Sequence, residues 1–289
     1  MAEKNNENPD SSVGEPDSPR PLVLVVVDGW GIGAKYPGNL FADLELKTFS
    51  ELVKNYPLAI IDSEERNINE RYKILGAGGK LSRALSDHGL SQINLLESEK
   101  FLPAWYHFNG QRDYLLNKED WQIVSSPLSL DDDNFEDNID SLVKIALDDI
   151  KRGNHDFINL NLANLSLVAQ SKNIELAKES IKMLDKKIGL LVDAVLKQDG
   201  VLIFTAAYGH AEALINPNSE LFENAPSRNP VPCFIIGREF EGKTFGLPDA
   251  ISDDLSLMET VGGLDRVAPT ILKILKLEKP EGMDVDSLI

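Results

Sequence analysis

The chain has 289 residues, with 29 Lys and Arg against 47 Asp and Glu, so its formal net charge is −18. An acidic surface of this kind repels phosphate backbones and anionic lipids, and we expect neither nucleic acid nor membrane binding. The longest strongly apolar run, Leu22 to Val27, is far shorter than the roughly 20 residues that cross a bilayer. A single cysteine and the lack of a signal-like N-terminus predict a cytoplasmic protein.

Residues 1–20 contain almost nothing to bury and predict a disordered acidic tail, followed by a single domain over residues 21–289. The run LVLVVV at Leu22–Val27 is typical of a strand covered on both faces, as in a parallel sheet. Similar runs predict further strands at Phe157–Leu162, Val201–Thr205 and Val231–Ile236.

Two helices are predicted. Apolar residues recur every three or four positions from Ile174 to Val195, and Gly200 ends that helix. A second helix is expected from about Asp265 to Leu277, with Asp265 as its N-cap and Pro269 in its first turn. The order strand, crossover helix, strand predicts an α/β fold with three α/β/α layers and a mostly parallel sheet.

The acidic stretch DDDNFEDNID at 131–140 is a candidate calcium site by composition alone. It lacks the turn glycine and the ligand spacing of an EF-hand loop, so we expect a solvated acidic loop.

Ligands of α/β sheets bind at the carboxyl ends of the strands, which directs attention to the residues that follow each predicted strand. The motifs there and downstream occur in a characteristic order: VVVDGWGIG with Gly38-Asn39, ESEKF then HFNG, DFINLNLAN, TAAYGHAE, NPVP and GGLDRVAPTILKIL. This series resembles the cofactor-independent phosphoglycerate mutases of the alkaline phosphatase superfamily. The resemblance implies the fold of their metal-binding phosphatase domain, and a two-metal phosphotransferase in which manganese, held by Asp and His, activates a serine.

The family's functional positions are mostly substituted in this chain. Its first aspartate is retained as Asp28. The serine of GNSEVGH falls at Ile68, which cannot be phosphorylated; an alternative alignment with a five-residue insertion would place Ser63-Glu64 there. The lysine of the family's TEKY is kept as Lys100, whereas the histidine three positions later is Pro103.

The remaining ligand positions carry poor ligands or none. The aspartate and histidine of NPDMVGH become Ser166 and Gln170, and the Asp-His pair of TADHGN becomes Ala207 and Tyr208. The histidine three residues ahead of NPVP falls at Pro226.

The substrate domain is also missing. In the family it is inserted shortly after GAGR, but here Gly76–Gly79 is followed only by Lys80 to Ser91 before the first domain resumes. Both losses predict a pseudoenzyme that acts as a binding, structural or regulatory partner of another protein and needs no cofactor. The alternative is a residual or rewired metallophosphatase or mutase with Mn or Zn held weakly by Asp28 and His210, and a third possibility is a small-molecule sensor.

Several residues have structural interpretations. Asp28 can stabilise a tight Asp-Gly turn by accepting backbone hydrogen bonds. His210 lies on a strand-end loop, where a histidine is more often solvated or hydrogen-bonded than a metal ligand. The other histidines match no ligand position, the tryptophans are expected to pack, and Cys233 is expected in a strand core. These residues are His88, His107, His155, Trp30, Trp105 and Trp121.

Overall fold

The computed structural model describes residues 18–63, 67–126, 135–163, 165, 167–168, 171–244 and 254–289. The strands are β1 Leu22–Val27, β2 Leu58–Ile61, β3 Gln92–Glu97, β4 Glu119–Val124, β5 Phe157–Leu162, β6 Val201–Thr205 and β7 Val231–Ile236. They form one sheet in the order β2-β7-β6-β1-β5-β3-β4. The pairs that β7 forms with β2 and β6 are antiparallel and the other four pairs are parallel, so the predicted mostly parallel sheet is confirmed.

The α-helices are α1 Lys47–Asn55, α2 Ile68–Leu75, α3 Lys80–Asp87, α4 Phe135–Arg152, α5 Ile174–Lys197 and α6 Val267–Ile274. One group, α1, α4 and α5, packs together, and a second comprises α2, α3 and α6 with the turn before it, so helices flank the sheet as predicted. A π-helical segment, Phe101–Tyr106, follows β3. Within the described parts of the chain, none of the helices combines the length and apolarity that crossing a bilayer requires.

The four predicted strands have the predicted bounds because they lie deepest in the sheet. Every residue of β1 is at most 1% exposed, since β5 and β6 pair with it on either side. The apolar run therefore reflects burial on both faces. Sequence inspection missed β3 and β4, which include polar residues such as Asn94 and Asp120, and β2, which is only four residues long.

The prediction for the last helix needs correction. Leu264–Arg266 forms a 3-10 turn, and α6 begins only at Val267, so Asp265 is not its N-cap. A side-chain cap is not needed there, because the turn leads directly into the helix. At the other end, Lys276 has a positive φ of 56°, which ends the helix before Leu277. Pro269 does lie in the first turn, as expected.

The prediction for the acidic stretch is wrong where the structure describes it. Residues 127–134 lie outside the described residues, but Phe135 to Asp140 belong to α4 and not to a loop. The helix extends into the acidic stretch because it has a buried stripe that begins there: Ile139, Leu142, Val143, Ala146 and Ile150.

The predicted tail lies mostly outside the described residues, which begin at Ser18. Arg20 is part of the described structure, with its Nη1 3.1 Å from Asp156 Oδ1. This ion pair connects the segment before β1 to the segment before β5.

Asp185 of α5 caps α1 from outside that helix. Its carboxylate accepts hydrogen bonds from the backbone N–H groups of Thr48 (3.0 Å) and Phe49 (2.8 Å), while the N-cap residue Leu46 offers no side-chain cap. Asp185→Ala is expected to lower the free energy of unfolding by about 2 kcal/mol, because two helix donors lose their acceptor. Urea denaturation measures this loss. Asp193→Ala, at an exposed site on the same helix, should change the value by less than about 0.5 kcal/mol.

Candidate functional site

The carboxyl ends of the central strands bring a small set of polar side chains together. Asp28 directly follows β1, and Tyr208 comes three residues after β6. Lys100 ends a 3-10 turn after β3, and Tyr72 reaches the same point from α2. All four side chains are buried, so the site is part of the protein interior.

The Asp28 carboxylate is held by a tyrosine hydroxyl. Tyr72 Oη donates to it and lies 2.7 Å from Oδ1 and 2.6 Å from Oδ2. Asn161 Nδ2 in turn donates to the Tyr72 hydroxyl at 2.6 Å. Asp28 does therefore have a structural role, but its partner is a side chain from α2 and not the backbone of the Asp-Gly turn.

Lys100 supplies the positive charge of the site. Its Nζ lies 3.6 Å from Asp28 Oδ2 and donates to the Tyr208 hydroxyl at 3.2 Å. Burial alone would lower the pKa of Lys100, but the neighbouring Asp28 and Tyr208 raise it above its ordinary value, so the ammonium form persists. Burial raises the pKa of Asp28, and the charge of Lys100 opposes that rise.

The donor set does not fit a divalent metal. Manganese and zinc need several carboxylate, imidazole or thiolate ligands, whereas Asp28 is surrounded by an ammonium and by hydroxyl groups. Among the described residues, no group of three or more His, Cys, Asp or Glu side chains is placed to hold a metal ion. Ser166 and Gln170, two of the substituted ligand positions, lie outside the described residues.

The other substituted positions lie in three different parts of the fold. Ala207 is fully buried, Pro226 lies half-buried in the loop before β7, and Ile68 is the first residue of α2. The alternative nucleophile Ser63 is buried, and its hydroxyl donates to the Asn229 carbonyl at 3.0 Å. Its proposed partner Glu64 lies outside the described residues.

His210 is buried and hydrogen-bonded, which is one of the two arrangements expected for it. Its Nε2 lies 3.1 Å from the carbonyl oxygen of Glu223, which suits a donating imidazole. Burial lowers the pKa of His210 and favours the neutral ring. The histidine thus has a structural contact of its own, separate from Asp28.

Sequence inspection missed Tyr72, although a signal was available. The ungapped alignment that places Ile68 on the serine of GNSEVGH also places Tyr72 on its final histidine. That exchange replaces a metal-binding type of side chain with a hydrogen-bond donor for Asp28. Arg71, which precedes it, lies with its guanidinium carbon 5.9 Å from the centre of the Tyr208 ring.

A second buried carboxylate, that of Glu212, lies beside the loop that follows β1 and contains Gly31. It accepts hydrogen bonds from the Gly31 N–H at 3.1 Å, from Asn229 Nδ2 at 3.1 Å and from the Ser227 hydroxyl. A Cβ on Gly31 would lie 2.3 Å from the carboxyl carbon, and one on Gly209 would lie 2.4 Å from Oε1. Glycine is thus needed in the loop after β1, at Gly31, and in the loop after β6, at Gly209, because the Glu212 carboxylate lies so close to both backbones.

The tryptophans, Cys233 and His155 are singled out in the sequence for packing or structural roles. Trp30 and Trp105 are buried, and Trp105 stacks on the half-buried Trp121 at 4.4 Å between ring centroids, so the predicted packing roles are confirmed. Cys233 is buried in β7, as predicted. His155 bridges two acids, with Nδ1 2.7 Å from Asp149 and Nε2 3.1 Å from Asp120.

Glu97, at the end of β3, makes the stability of the folded protein depend on pH. Burial, with a smaller contribution from Glu99, raises its pKa from 4.5 to about 7, against the opposing effects of Lys100 and Ser126. Between these values the folded protein retains a proton that the unfolded chain releases, so stability falls as the pH rises from about 4.5 to about 7. This shift in the pKa of Glu97 corresponds to a decrease of about 3 kcal/mol in the free energy of unfolding over that pH range.

Glu97→Gln is therefore expected to flatten this pH dependence and to raise the free energy of unfolding at pH 8 relative to the unsubstituted protein. Denaturant titrations at pH 5 and pH 8 measure the difference. Glu99→Gln, at the exposed neighbouring carboxylate, should retain most of the pH dependence. If the free energy of unfolding changed equally between pH 5 and pH 8 in the Glu97→Gln variant and in the unsubstituted protein, Glu97 would not be the source of the pH dependence.

Comparisons with known proteins agree with this geometry at the level of the fold and the family. Residues 20–279 match the model of the metalloenzyme superfamily. The chain is 32% identical to the 2,3-bisphosphoglycerate-independent phosphoglycerate mutase of Parasynechococcus marenigrum over 85% of its own length, but covers only 42% of that relative. It spans less than half the length of the first curated relatives that it matches.

Solved structures show the same fold. A Leishmania mexicana phosphoglycerate mutase superposes with a TM-score of 0.56 at 23% identity, covering 72% of this chain and 38% of that one. TAB5 alkaline phosphatase superposes with a TM-score of 0.54 at 10% identity, covering 90% of this chain and 99% of that one. The sheet and its flanking helices are thus similar to those of alkaline-phosphatase-like proteins.

Proposed function

This chain belongs to the metalloenzyme superfamily and is related to the 2,3-bisphosphoglycerate-independent phosphoglycerate mutases, and we propose that it is a catalytically inactive member of that group. In this proposal it acts as a binding, structural or regulatory partner of another protein. A fold alone does not specify a function, so the proposal depends on the site.

One observation carries the proposal: the carboxylate of Asp28 is occupied by protein donors. Tyr72 donates to it, and Lys100 lies 3.6 Å away as its counter-charge. A divalent ion at Asp28 would have to compete with the Tyr72 hydroxyl for both carboxylate oxygens, beside the positive charge of Lys100. The Tyr208 hydroxyl, at a position where the family supplies a ligand, hydrogen-bonds to Lys100.

The test is metal content and phosphatase activity on the same sample. The protein is incubated with manganese, zinc or magnesium, desalted, measured by elemental analysis and assayed with p-nitrophenyl phosphate. We expect less than stoichiometric metal and no hydrolysis above the blank. One or two equivalents of metal, with hydrolysis abolished by Asp28→Asn, would overturn the proposal in favour of a rewired metallophosphatase.

The surface around β4 supports a role as a protein partner. Leu102 and Ile123 are 62% and 40% exposed, next to the stacked rings of Phe101 and Trp121. The opposite edge of the sheet is covered, because Val261 N–H donates to the Ile60 carbonyl of β2 at 2.9 Å. Exposed apolar side chains at a sheet edge are typical of interaction surfaces.

Crosslinking in cells followed by native mass spectrometry tests this surface. If the partner binds at β4, the crosslinked species should be lost when Leu102→Lys and Ile123→Lys are combined. Leu221→Lys, at a residue that is 68% exposed elsewhere, should leave it unchanged. A strict monomer without a crosslinked partner would count against the binding role.

A further inference from the structure

A small cavity lies between the sheet and the π-helical segment. It has a volume of about 10 Å³, and its polar lining consists of Tyr72, Asn94, Trp105, Asn159 and Asn161. The space is close to the roughly 10–15 Å³ that a single water needs.

Three polar atoms of this lining have no hydrogen-bond partner among the described residues: Asn159 Oδ1, Asn161 Oδ1 and Trp105 Nε1. The three residues are only 9%, 4% and 4% exposed. An unpaired polar atom is strongly destabilising in the protein interior, so three of them around one cavity indicate a common hydrogen-bond partner.

The orientation of both amides is set by their other bonds. Asn159 Nδ2 donates to Asn94 Oδ1 at 2.9 Å, and Asn161 Nδ2 donates to the Tyr72 hydroxyl at 2.6 Å. The amide nitrogens are therefore engaged, which leaves two oxygen acceptors for the cavity. The indole of Trp105 contributes a donor, because its nitrogen always carries a proton.

We infer that this cavity binds one internal water, which donates to Asn159 Oδ1 and Asn161 Oδ1 and accepts from Trp105 Nε1. Two acceptors and one donor suit a neutral water, which can donate two hydrogen bonds and accept one. A cation would be repelled by the indole N–H, and an anion would be repelled by the two amide oxygens.

The water connects the Asp28 site to the π-helical segment. Asn161 donates to Tyr72, and Tyr72 donates to Asp28, so the bridge to Trp105 adds a third link to that chain of hydrogen bonds. Without it, Asn161 Oδ1 would be unpaired. The water thus acts as a positioning group for the buried site.

Solution NMR tests the inference through the indole proton of Trp105, whose resonance is identified from its loss in Trp105→Phe. A long-lived water should give cross-peaks between this proton and water that have opposite signs in NOESY and ROESY spectra. Asn159→Leu, which removes one acceptor and adds apolar volume, should abolish them. Gln92→Leu, a matched loss of a buried amide that does not line the cavity, should leave them unchanged.

Absence of the cross-peaks in the unsubstituted protein would overturn the inference, as would their persistence in Asn159→Leu, which would point to relay through the Tyr72 hydroxyl. If Asn159→Leu fails to fold, a high-resolution crystal structure of the unsubstituted protein decides the question. Density within about 3.2 Å of all three atoms supports the water, and an empty cavity overturns it.

Discussion

Lys100→Met is expected to lower the free energy of unfolding by about 3 kcal/mol near neutral pH, because it leaves the Asp28 carboxylate buried without a counter-charge. The side chains of Lys100 and Asp28 are only 7% and 0% exposed. Adding Asp28→Asn to Lys100→Met should recover much of the loss, since the double variant carries no unpaired charge. Denaturant titrations of the single and double variants measure both effects.

A matched control is available on α2. Lys73 Nζ lies at the same distance, 3.6 Å, from Glu70 Oε2, but these side chains are 48% and 39% exposed. Lys73→Met should therefore cost less than about 0.5 kcal/mol. Equal losses for the two lysines, or no recovery in the double variant, would show that the buried ion pair does not stabilise the site.

Glu212→Ala is expected to lower the free energy of unfolding by about 3–4 kcal/mol. The Gly31 N–H, the Ser227 hydroxyl and the Asn229 amide would lose their common acceptor, and a cavity would remain. Glu212→Gln keeps the size of the side chain and one accepting oxygen, so its loss should be smaller.

Chemical denaturation gives the size of the loss, and near-UV circular dichroism shows whether the variants keep native packing. Glu239→Ala, at an exposed glutamate, should change stability by less than about 0.5 kcal/mol. A similarly small change for Glu212→Ala would mean that the three donors find other partners.

The fold was largely predictable from the sequence, because the apolar runs of β1, β5, β6 and β7 reflect burial on both faces of the sheet. Asp28 and Lys100 could also be singled out, since both stand in ordered motifs. What could not be predicted was the contact that completes the site. Tyr72 reaches Asp28 from a helix 44 positions away in sequence, and this depends on how α2 packs against the sheet.

Glu212 illustrates the same limit. Its neighbours in the sequence do not show that Gly31, 181 positions away, donates to it. Likewise, α4 begins within an acidic stretch because buried residues further along the helix determine its extent. Pairings between distant segments are set by tertiary packing, which local patterns do not contain.

The close approach of Glu212 to Gly31 and Gly209 has an evolutionary consequence. A methyl group at either glycine would collide with the carboxylate, so alanine is expected to become tolerable at Gly31 only after Glu212 has been replaced by a shorter side chain. At Gly209 the added Cβ would also lie 2.6 Å from Ser227 Oγ, so that hydroxyl must move as well. The order of substitutions therefore matters, and the three positions are constrained as a unit. A lineage released from selection for catalysis would still retain these glycines, because epistasis with a structural carboxylate preserves them.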